Sequence, residues 1–399
     1  MLKSLNKVHF LVGNTEYVEG LRDISPLSPF DESIVGFLND FSKILLNDKN
    51  AKQYSDIMTF AFWIRKNSLI QLKREFYSDD GNVKLGKGVA FHVAPSNVPV
   101  NFAYSLVTGL LSGNANIVRV PSKNFEQITI ISDAINRVLE KHESVRKYII
   151  LVRYDRDKDI NDDLSSVADI RIVWGGDATI TELRKSILPP RSGEITFADR
   201  YSFAVIDSDA YMELFDKDRV ASDFYNDTYL SDQNACTSPR IVVWMGTSIN
   251  QAKKTFWSKI HRIVKEKYKF QSVQAISKLT SAYLASVAIP GSRVEDHSDN
   301  LLIRIKVPEA SGTLMRYRDS GGFFFEYDCR DILEIREICN DKRCQTIGYI
   351  GDKSMFIPLM QSGIKGVDRI VPIGRTMDFS LIWDGYNLMN MLTRIVSIG

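Results

Sequence analysis

The chain has 399 residues, 44% of them hydrophobic and 25% charged, with a formal net charge of +2. That length allows two or three domains of about 150 residues each, and the composition is that of a soluble globular protein whose core needs neither a disulfide nor a metal. A near-neutral balance without a basic tail argues against nucleic acid as the main partner.

The four cysteines, Cys236, Cys329, Cys339 and Cys344, are irregularly placed, and none has zinc-ligand spacing or a His pair beside it. Reduced thiols in a cytoplasmic protein are the simplest reading. The N-terminus lacks the apolar centre of a signal peptide. No run reaches the ~18 apolar residues of a membrane span.

In chain order, residues 31–75 are expected to be helical. Ile34, Phe37, Leu38, Phe41 and Leu45 recur at helical spacing, as do Ile57, Phe60 and Ile64. The rhythm then changes. "GVAFHVA" (88–94), "NIVRV" (116–120), "YIILVRY" (148–154), "DIRIVW" (169–174) and "SFAVIDSD" (202–209) are predicted strands. Between the first three lie an apolar helix from Phe102 to Leu111 and an amphipathic helix with Ile128, Ile131, Ile135 and Val138 on one face. Alternating strands and helices predict an α/β fold with a doubly wound parallel sheet. Further on, "RIVVWMG", "LLIRIKV" and "GGFFFEY" are predicted strands, and residues 247–270 one long helix. The expected division is an N-terminal helical segment (1–80), a cofactor domain (81–210, joined by 376–399) and a catalytic domain (211–375). The phenylalanines of "GGFFFEY" fit either a core strand or the wall of an acyl tunnel.

A doubly wound sheet binds nucleotides at the carboxyl ends of its strands, yet the chain has no G-x-G-x-x-G. It also has no G-x-S-x-G and no H-E-x-x-H. His9, His92, His142, His261 and His297 show no ligand spacing, and His92 lies within a strand pattern. Cys236 stands out. Its neighbours Asn234, Thr237 and Ser238 are small and polar, which suggests a loop with free backbone N–H groups. A thiolate there suits acyl transfer. Asn97, between Pro95 and Pro99, is held in a stiff loop after a strand. It fits equally a turn cap or an oxyanion donor.

Three segments taken together, strand–"SNVP"–helix, "GNANIVRVPSKN" and "DQNACTSPR", resemble the aldehyde dehydrogenase superfamily. Within it, "HVAPSNVP", "NIVRVPSKNF", "CTSPRIVVW", "GVDRIVPIG" and "IWDG" look like the acyl-CoA reductase family of bacterial bioluminescence, over about residues 85–399. The chain is shorter than those enzymes. The resemblance implies an aldehyde dehydrogenase-like fold with a Rossmann-type cofactor domain and an α/β catalytic domain. It implies Cys236 as nucleophile, with Asn97 and the Cys236 N–H as the oxyanion hole. The cofactor would lie along Pro95, Ser96, Arg119, Val120, Pro121, Ser122, Lys123, Gly175 and Gly176.

Three departures matter. Val120 stands where dehydrogenases place a lysine, and Arg119 beside it points to the other strand face. Lys123 stands where NAD enzymes place a ribose-binding carboxylate, which favours NADPH over NADH unless Lys123 is only a surface lysine. Phe197 stands where oxidative members keep a water-activating Glu, with Asp199 two positions off. Without that base, hydride rather than water resolves the acyl-enzyme.

The expected activity is therefore NADPH-dependent reduction of an acyl-CoA, or acyl-protein, thioester to an aldehyde through an acyl-cysteine. The expected partners are that thioester donor, an acyl-protein synthetase and further copies of the chain. The alternatives are an oxidative or CoA-acylating semialdehyde dehydrogenase, and a non-catalytic subunit of an acyl-reductase complex.

Overall fold

The computed structural model describes residues 2, 4–76, 82–96, 98–295 and 299–398. The chain divides into two compact units, residues 1–198 with 386–399, and residues 199–385. The divisions fall at Ala198/Asp199 and Gly385/Tyr386, against the boundaries near 210 and 375 expected from the sequence.

The first unit is built on strands β1 (His9–Val12), β2 (Val83–Gly86), β3 (Val89–Val93), β4 (Ala115–Arg119), β5 (Ile149–Arg153), β6 (Ile170–Trp174) and β7 (Gly193–Phe197). Six of them form one sheet in the order β1-β5-β4-β3-β6-β7, and β2 pairs instead with Thr393–Val396. All neighbours in the six-stranded sheet are parallel except β1, which runs antiparallel to β5. The chain winds outward from β3 through β4 to β5, then returns to β6 on the other side of β3. That reversal makes the switch point where doubly wound sheets hold ligands.

Every residue of β3 and β6 is buried, as a strand covered on both faces requires. Helix Glu32–Asn47 buries Ile34, Phe37, Leu38, Phe41 and Leu45, the predicted stripe. Its first turn is capped by Asp31, whose carboxylate accepts from the Ser33 N–H. Helix Glu126–Leu139 buries Ile128, Ile131, Ile135 and Val138, also as predicted.

The second unit holds β8 (Tyr201–Asp207), β9 (Pro239–Met245), β10 (Arg293–Val294), β11 (Ile303–Lys306), β12 (Phe323–Asp328), β13 (Cys344–Ile350) and β14 (Arg369–Pro372). Their order is β10-β11-β12-β9-β8-β13-β14, parallel except at the β10 edge. β8 therefore belongs to this sheet and not to the first, as the sequence had suggested. Phe323 and Phe325 are buried on one face of β12 and Phe324 on the other, so "GGFFFEY" is core. The expected long helix runs Ile249–Lys267, and a second helix that the sequence reading did not include, Ser272–Ala288, follows it.

A charged pair braces the first sheet. Arg171 on β6 and Glu194 on β7 face each other in register. The Arg171 side chain is 3% exposed and donates through Nε (2.9 Å) and Nη2 (2.5 Å) to Glu194, and through Nη1 to the Ser186 carbonyl (2.8 Å). Glu194 also takes Arg184 at 2.7 Å. Removing one partner of a buried pair leaves an uncompensated charge and costs about 3–5 kcal/mol. Glu194→Ala strands the buried guanidinium, whereas Arg171→Met leaves Glu194 paired with Arg184. Urea denaturation is expected to show the larger loss, about 3–5 kcal/mol, for Glu194→Ala. Equal losses would contradict this account.

Candidate active site

Cys236 lies in the turn that leads into β9. The preceding residues Asp232 (φ 50°) and Gln233 (φ 58°) are both left-handed, which costs an ordinary side chain of order 1–3 kcal/mol each. The turn is held in this shape by Gln233, whose amide is completely buried. Its Oε1 accepts from the N–H groups of Gly322 and Phe323, both at 3.0 Å. Its Nε2 donates to the carbonyls of Pro239 and Phe323, also at 3.0 Å. All four bonding positions of the amide are thereby used.

The flanks are held as firmly. The Asp232 carboxylate accepts from the Tyr268 hydroxyl (2.6 Å), and its carbonyl accepts from the Gly321 N–H (3.0 Å). Arg240 donates to the Gln233 carbonyl and to the Asp319 carbonyl (2.6 Å). Lys278, fully buried, donates to the carbonyls of Gly321 (2.6 Å) and Leu301 (3.2 Å), and burial pushes its ammonium down to about 7. The Ser202 hydroxyl donates to the Cys236 carbonyl at 2.7 Å. On the other side, Thr237 donates to the Met377 sulfur at 3.1 Å. The loop carrying Met377 is pinned by Asp227, which accepts from Gly374 N–H (2.6 Å) and Thr376 N–H (3.2 Å). Burial pushes the Asp227 carboxyl up to about 7.

Of the four free cysteines, Cys236 is half-buried and the others are buried. Burial pushes the Cys236 thiol up to about 11. The negative charge of Asp384 acts in the same direction. A hydrogen bond from the Gln345 side chain, the nearby Arg200 cation and the residue's own N–H oppose both. The Gln345 amide in turn donates to Asp384. Arg200 bridges Asp368 and Asp384, at 3.6 Å from the latter. Gln345, Asp384 and Arg200 went unseen in the sequence. Asp384 alone had a signal there, in "IWDG".

In the first unit, Pro95 and Ser96 follow β3, Arg119 to Lys123 close β4, and Gly175 and Gly176 follow β6. Since β4, β3 and β6 are parallel neighbours, all of these positions lie along one edge of the sheet. Ser96, Ser122, Lys123 and Gly176 are exposed there, and nothing lies within 4 Å of where a side chain on Gly176 would begin. Val120 and Pro121 are buried, and the Val120 N–H extends the ladder to the Val152 carbonyl at 2.9 Å. Arg119 is turned onto the Tyr154 ring, 4.5 Å from its centroid, and donates to the Tyr154 carbonyl at 3.2 Å. Lys123 lies over the Phe125 ring at 5.1 Å. Asn97 and His297 lie outside the described residues.

His92 is a core residue. Nε2 meets the Asn116 side-chain Oδ1 at 2.9 Å and Nδ1 meets the Ser105 hydroxyl at 2.7 Å. The Asn116 amide nitrogen donates to the Asn114 carbonyl, so the proton sits on Nε2. Burial pushes the ring down to about 4. The Ser105 hydroxyl also accepts from Trp174 Nε1 (2.9 Å), and the Trp174 ring stacks on Phe197 with centroids 3.6 Å apart. Among the described residues no group of three His, Cys, Asp or Glu could hold a metal ion, and no helix is long and apolar enough to cross a membrane.

These environments separate Cys236 from its siblings. Burial pushes Cys329 and Cys339 up to about 12 and raises Cys344 as well. Iodoacetamide under native conditions is expected to label Cys236 first. Its rate should keep climbing with pH beyond 9, since a thiol raised to about 11 forms thiolate only in that range. Peptide mapping that finds Cys339 or Cys344 labelled first, or a rate that levels off near pH 8, would contradict this.

The fold is that of aldehyde dehydrogenases. Methylmalonate-semialdehyde dehydrogenase from Oceanimonas doudoroffii superimposes with a TM-score of 0.65 at 11% identity, over 95% of this chain and 87% of that one. An NAD-dependent benzaldehyde dehydrogenase from Corynebacterium glutamicum gives 0.61 at 12% identity, over 95% and 88%. In sequence, the long-chain acyl-protein thioester reductase of Photorhabdus luminescens is 23% identical over 318 residues, 78% of this chain and 63% of that protein. Its counterpart in Aliivibrio fischeri is 22% identical over 320 residues, 78% and 64%. The chain thus spans less than two thirds of the length of these relatives. The family model described as acyl-CoA reductase (LuxC) matches residues 65–301, more than half of the sequence. The chain belongs to the acyl-CoA reductase (LuxC) family.

Proposed function

We propose that this chain reduces a long-chain acyl thioester to the aldehyde by way of an acyl group carried on Cys236. The observation that carries the reading is the Cys236 turn itself. It holds the one half-exposed cysteine, fixed by a buried amide and backed by a hydrogen-bond donor and a cation. The acyl donor is a thioester of CoA or of a protein, and the names of the relatives favour a protein.

The Cys236 sulfur attacks the thioester carbonyl, forming a new C–S bond. The bond to the donor sulfur breaks, and the thiol proton leaves with the departing thiol. Asn97 and the Cys236 N–H are the donors proposed for the oxyanion, a contribution of about 10²–10³ in rate for each such donor. The carboxyl ends of β3, β4 and β6 would hold a reduced nicotinamide, which would supply hydride for converting the enzyme thioester to the aldehyde. Taking up one proton, the Cys236 sulfur then returns to the thiol.

The strand edge fits such a group. It is open at Gly176 and flanked by the exposed Ser96 and Ser122. Lys123 offers a cation at the position where a carboxylate would select the unphosphorylated ribose, so NADPH is the preferred donor. Arg119, held on Tyr154, is a weaker candidate for this role.

An oxidative dehydrogenase needs a carboxylate free to activate water. Phe197 is stacked on Trp174, Glu194 is locked to Arg171 and Arg184, and Asp199 pairs with Arg318 at 3.1 Å. These engagements favour the reductase over an oxidative enzyme.

Incubation with a long-chain acyl-CoA or acyl-protein, without reductant, is expected to add one acyl mass to the Cys236 peptide. Adding NADPH should discharge it as aldehyde. Cys236→Ala should show neither step, and a variant that still consumes NADPH with the thioester would overturn the proposal. A protein with no adduct at Cys236 would be the non-catalytic subunit instead. Lys123→Glu should raise the KM for NADPH by at least about tenfold, or about 1.4 kcal/mol, with little change for NADH. Equal changes for both would remove Lys123 from the cofactor site.

A further inference from the structure

Ser202 is fully buried, in the apolar run Tyr201–Ile206 of β8. A strand covered on both faces has no packing need for a hydroxyl there. The need lies in the ladders on either side. Toward β9 the pairing steps from Ser202–Pro239 to Phe203–Ile241, so Arg240 is an extra residue. Toward β13 it steps from Tyr201–Cys344 to Phe203–Ile347, so Gln345 and Thr346 stand against Ser202 alone. Two residues against one make a bulge, which leaves ladder groups without their regular partners. Pro239, opposite Ser202, has no N–H to give.

The Ser202 hydroxyl fills both gaps. Its oxygen accepts from the Thr346 N–H at 3.2 Å, and its proton goes to the Cys236 carbonyl at 2.7 Å. Among the described residues no backbone N–H reaches that carbonyl. Cys236 is the second residue of a β-turn, Ala235–Ser238, closed by the Ser238 N–H on the Ala235 carbonyl at 3.1 Å. The Cys236 carbonyl therefore belongs to the turn's central peptide, the group whose orientation separates the two common turn types. Turning it over would require a positive φ at Thr237, which is not left-handed here and whose β-branched side chain resists that region. Smaller tilts of the same peptide meet no such barrier. They are set by what the carbonyl bonds.

We infer that Ser202 is a positioning residue for Cys236: one hydroxyl, bridging the Thr346 N–H and the Cys236 carbonyl, ties the nucleophile's peptide to β13 and fixes the direction in which the sulfur is presented. The Gln233 amide holds the entry to the turn, and Ser202 holds its central peptide. The inference rests on Cys236 being the acyl-accepting nucleophile. Attack on a carbonyl tolerates little error in the approach of the sulfur, and a misplacement of about 1 Å can cost about 10²-fold in rate. Loss of the hydroxyl leaves two buried backbone groups unpaired, and the freed peptide tilts toward whatever other partner it can reach.

The test compares Ser202→Thr with Ser202→Val in the full chain. The two side chains have nearly the same shape, so strain from the added bulk is common to both and the hydroxyl is the difference. Acylation of Cys236 by a long-chain acyl-CoA, without reductant, is followed by peptide mass over a range of donor concentrations. The limiting rate of Ser202→Val should lie about tenfold to a hundredfold below that of Ser202→Thr, with half-saturating concentrations within about twofold of each other. The Thr346 amide, having lost its acceptor, should exchange its hydrogen at least about tenfold faster in Ser202→Val. Equal limiting rates overturn the inference, whatever the exchange shows. A loss confined to the half-saturating concentration overturns it as well, because positioning acts on the step after binding. If Ser202→Val does not fold, Ser202→Ala is compared with the parent by the same criteria. A parent that takes up no acyl group overturns the functional reading, and this inference with it. A parent acylated at Cys236, with Ser202→Val as fast as Ser202→Thr, overturns this inference alone.

Discussion

The arrangement around Cys236 depends on one buried amide. The left-handed pair Asp232–Gln233 is unfavourable by of order 1–3 kcal/mol per residue. The four hydrogen bonds of Gln233, at about 1 kcal/mol net apiece, are of the same size. The balance is local and two-sided. Without the amide, the left-handed pair keeps only the bonds at its flanks, from Tyr268 and Gly321 to Asp232 and from Arg240 to the Gln233 carbonyl. Without the left-handed pair, the amide could not reach both edges of the gap between β9 and β12. Gly322, itself at φ 93°, completes the fit, because a side chain there would meet the Tyr229 hydroxyl and the Leu301 carbonyl.

That geometry fixes where the sulfur can be, and electrostatics then decides its charge. Desolvation is the largest influence on the thiol, and Asp384 adds to it. Arg200 does not cancel them, since it is shared between Asp368 and Asp384 and donates to a backbone carbonyl as well. Nor do Arg240 and Arg369 act as free cations. Arg240 donates to the carbonyls of Gln233 and Asp319, and Arg369 to those of Thr376 and Asp378, stacked 4.7 Å from the Trp383 ring. A site ringed by three arginines therefore still favours the neutral thiol. Counting charges would predict the opposite.

How much of this was legible in the sequence follows from the physics of each element. β3, β4, β5 and β6 were readable because strands buried on both faces are nearly continuous apolar runs. β1 and β7 were not, because only part of each is buried and their patterns are mixed. β8 was readable as a strand but not as a member of the second sheet, since no local pattern states which sheet a buried strand joins. Helix Ser272–Ala288 was missed because its inward positions are Lys278, Ala282 and Ala285, while Val273, Ile276, Tyr283, Leu284 and Val287 face outward. Its apolar stripe points away from the core, which inverts the usual signal.

The site divides in the same way. Cys236 was legible because small polar neighbours mark a loop, and loops carry exposed chemistry. The strand-end positions were legible because parallel strands bring their carboxyl ends to one edge wherever they lie in the sequence. Gln345 and Asp384 were not, because a polar residue heading an apolar strand and an Asp-Gly turn each have an ordinary local explanation. Their pairing arises only when β13 and the Trp383–Gly385 turn meet, Gln345 donating to Asp384. Long-range pairing of this kind leaves a residue of unsatisfied polar atoms, and the unpartnered Oε1 of Gln345 is one of them.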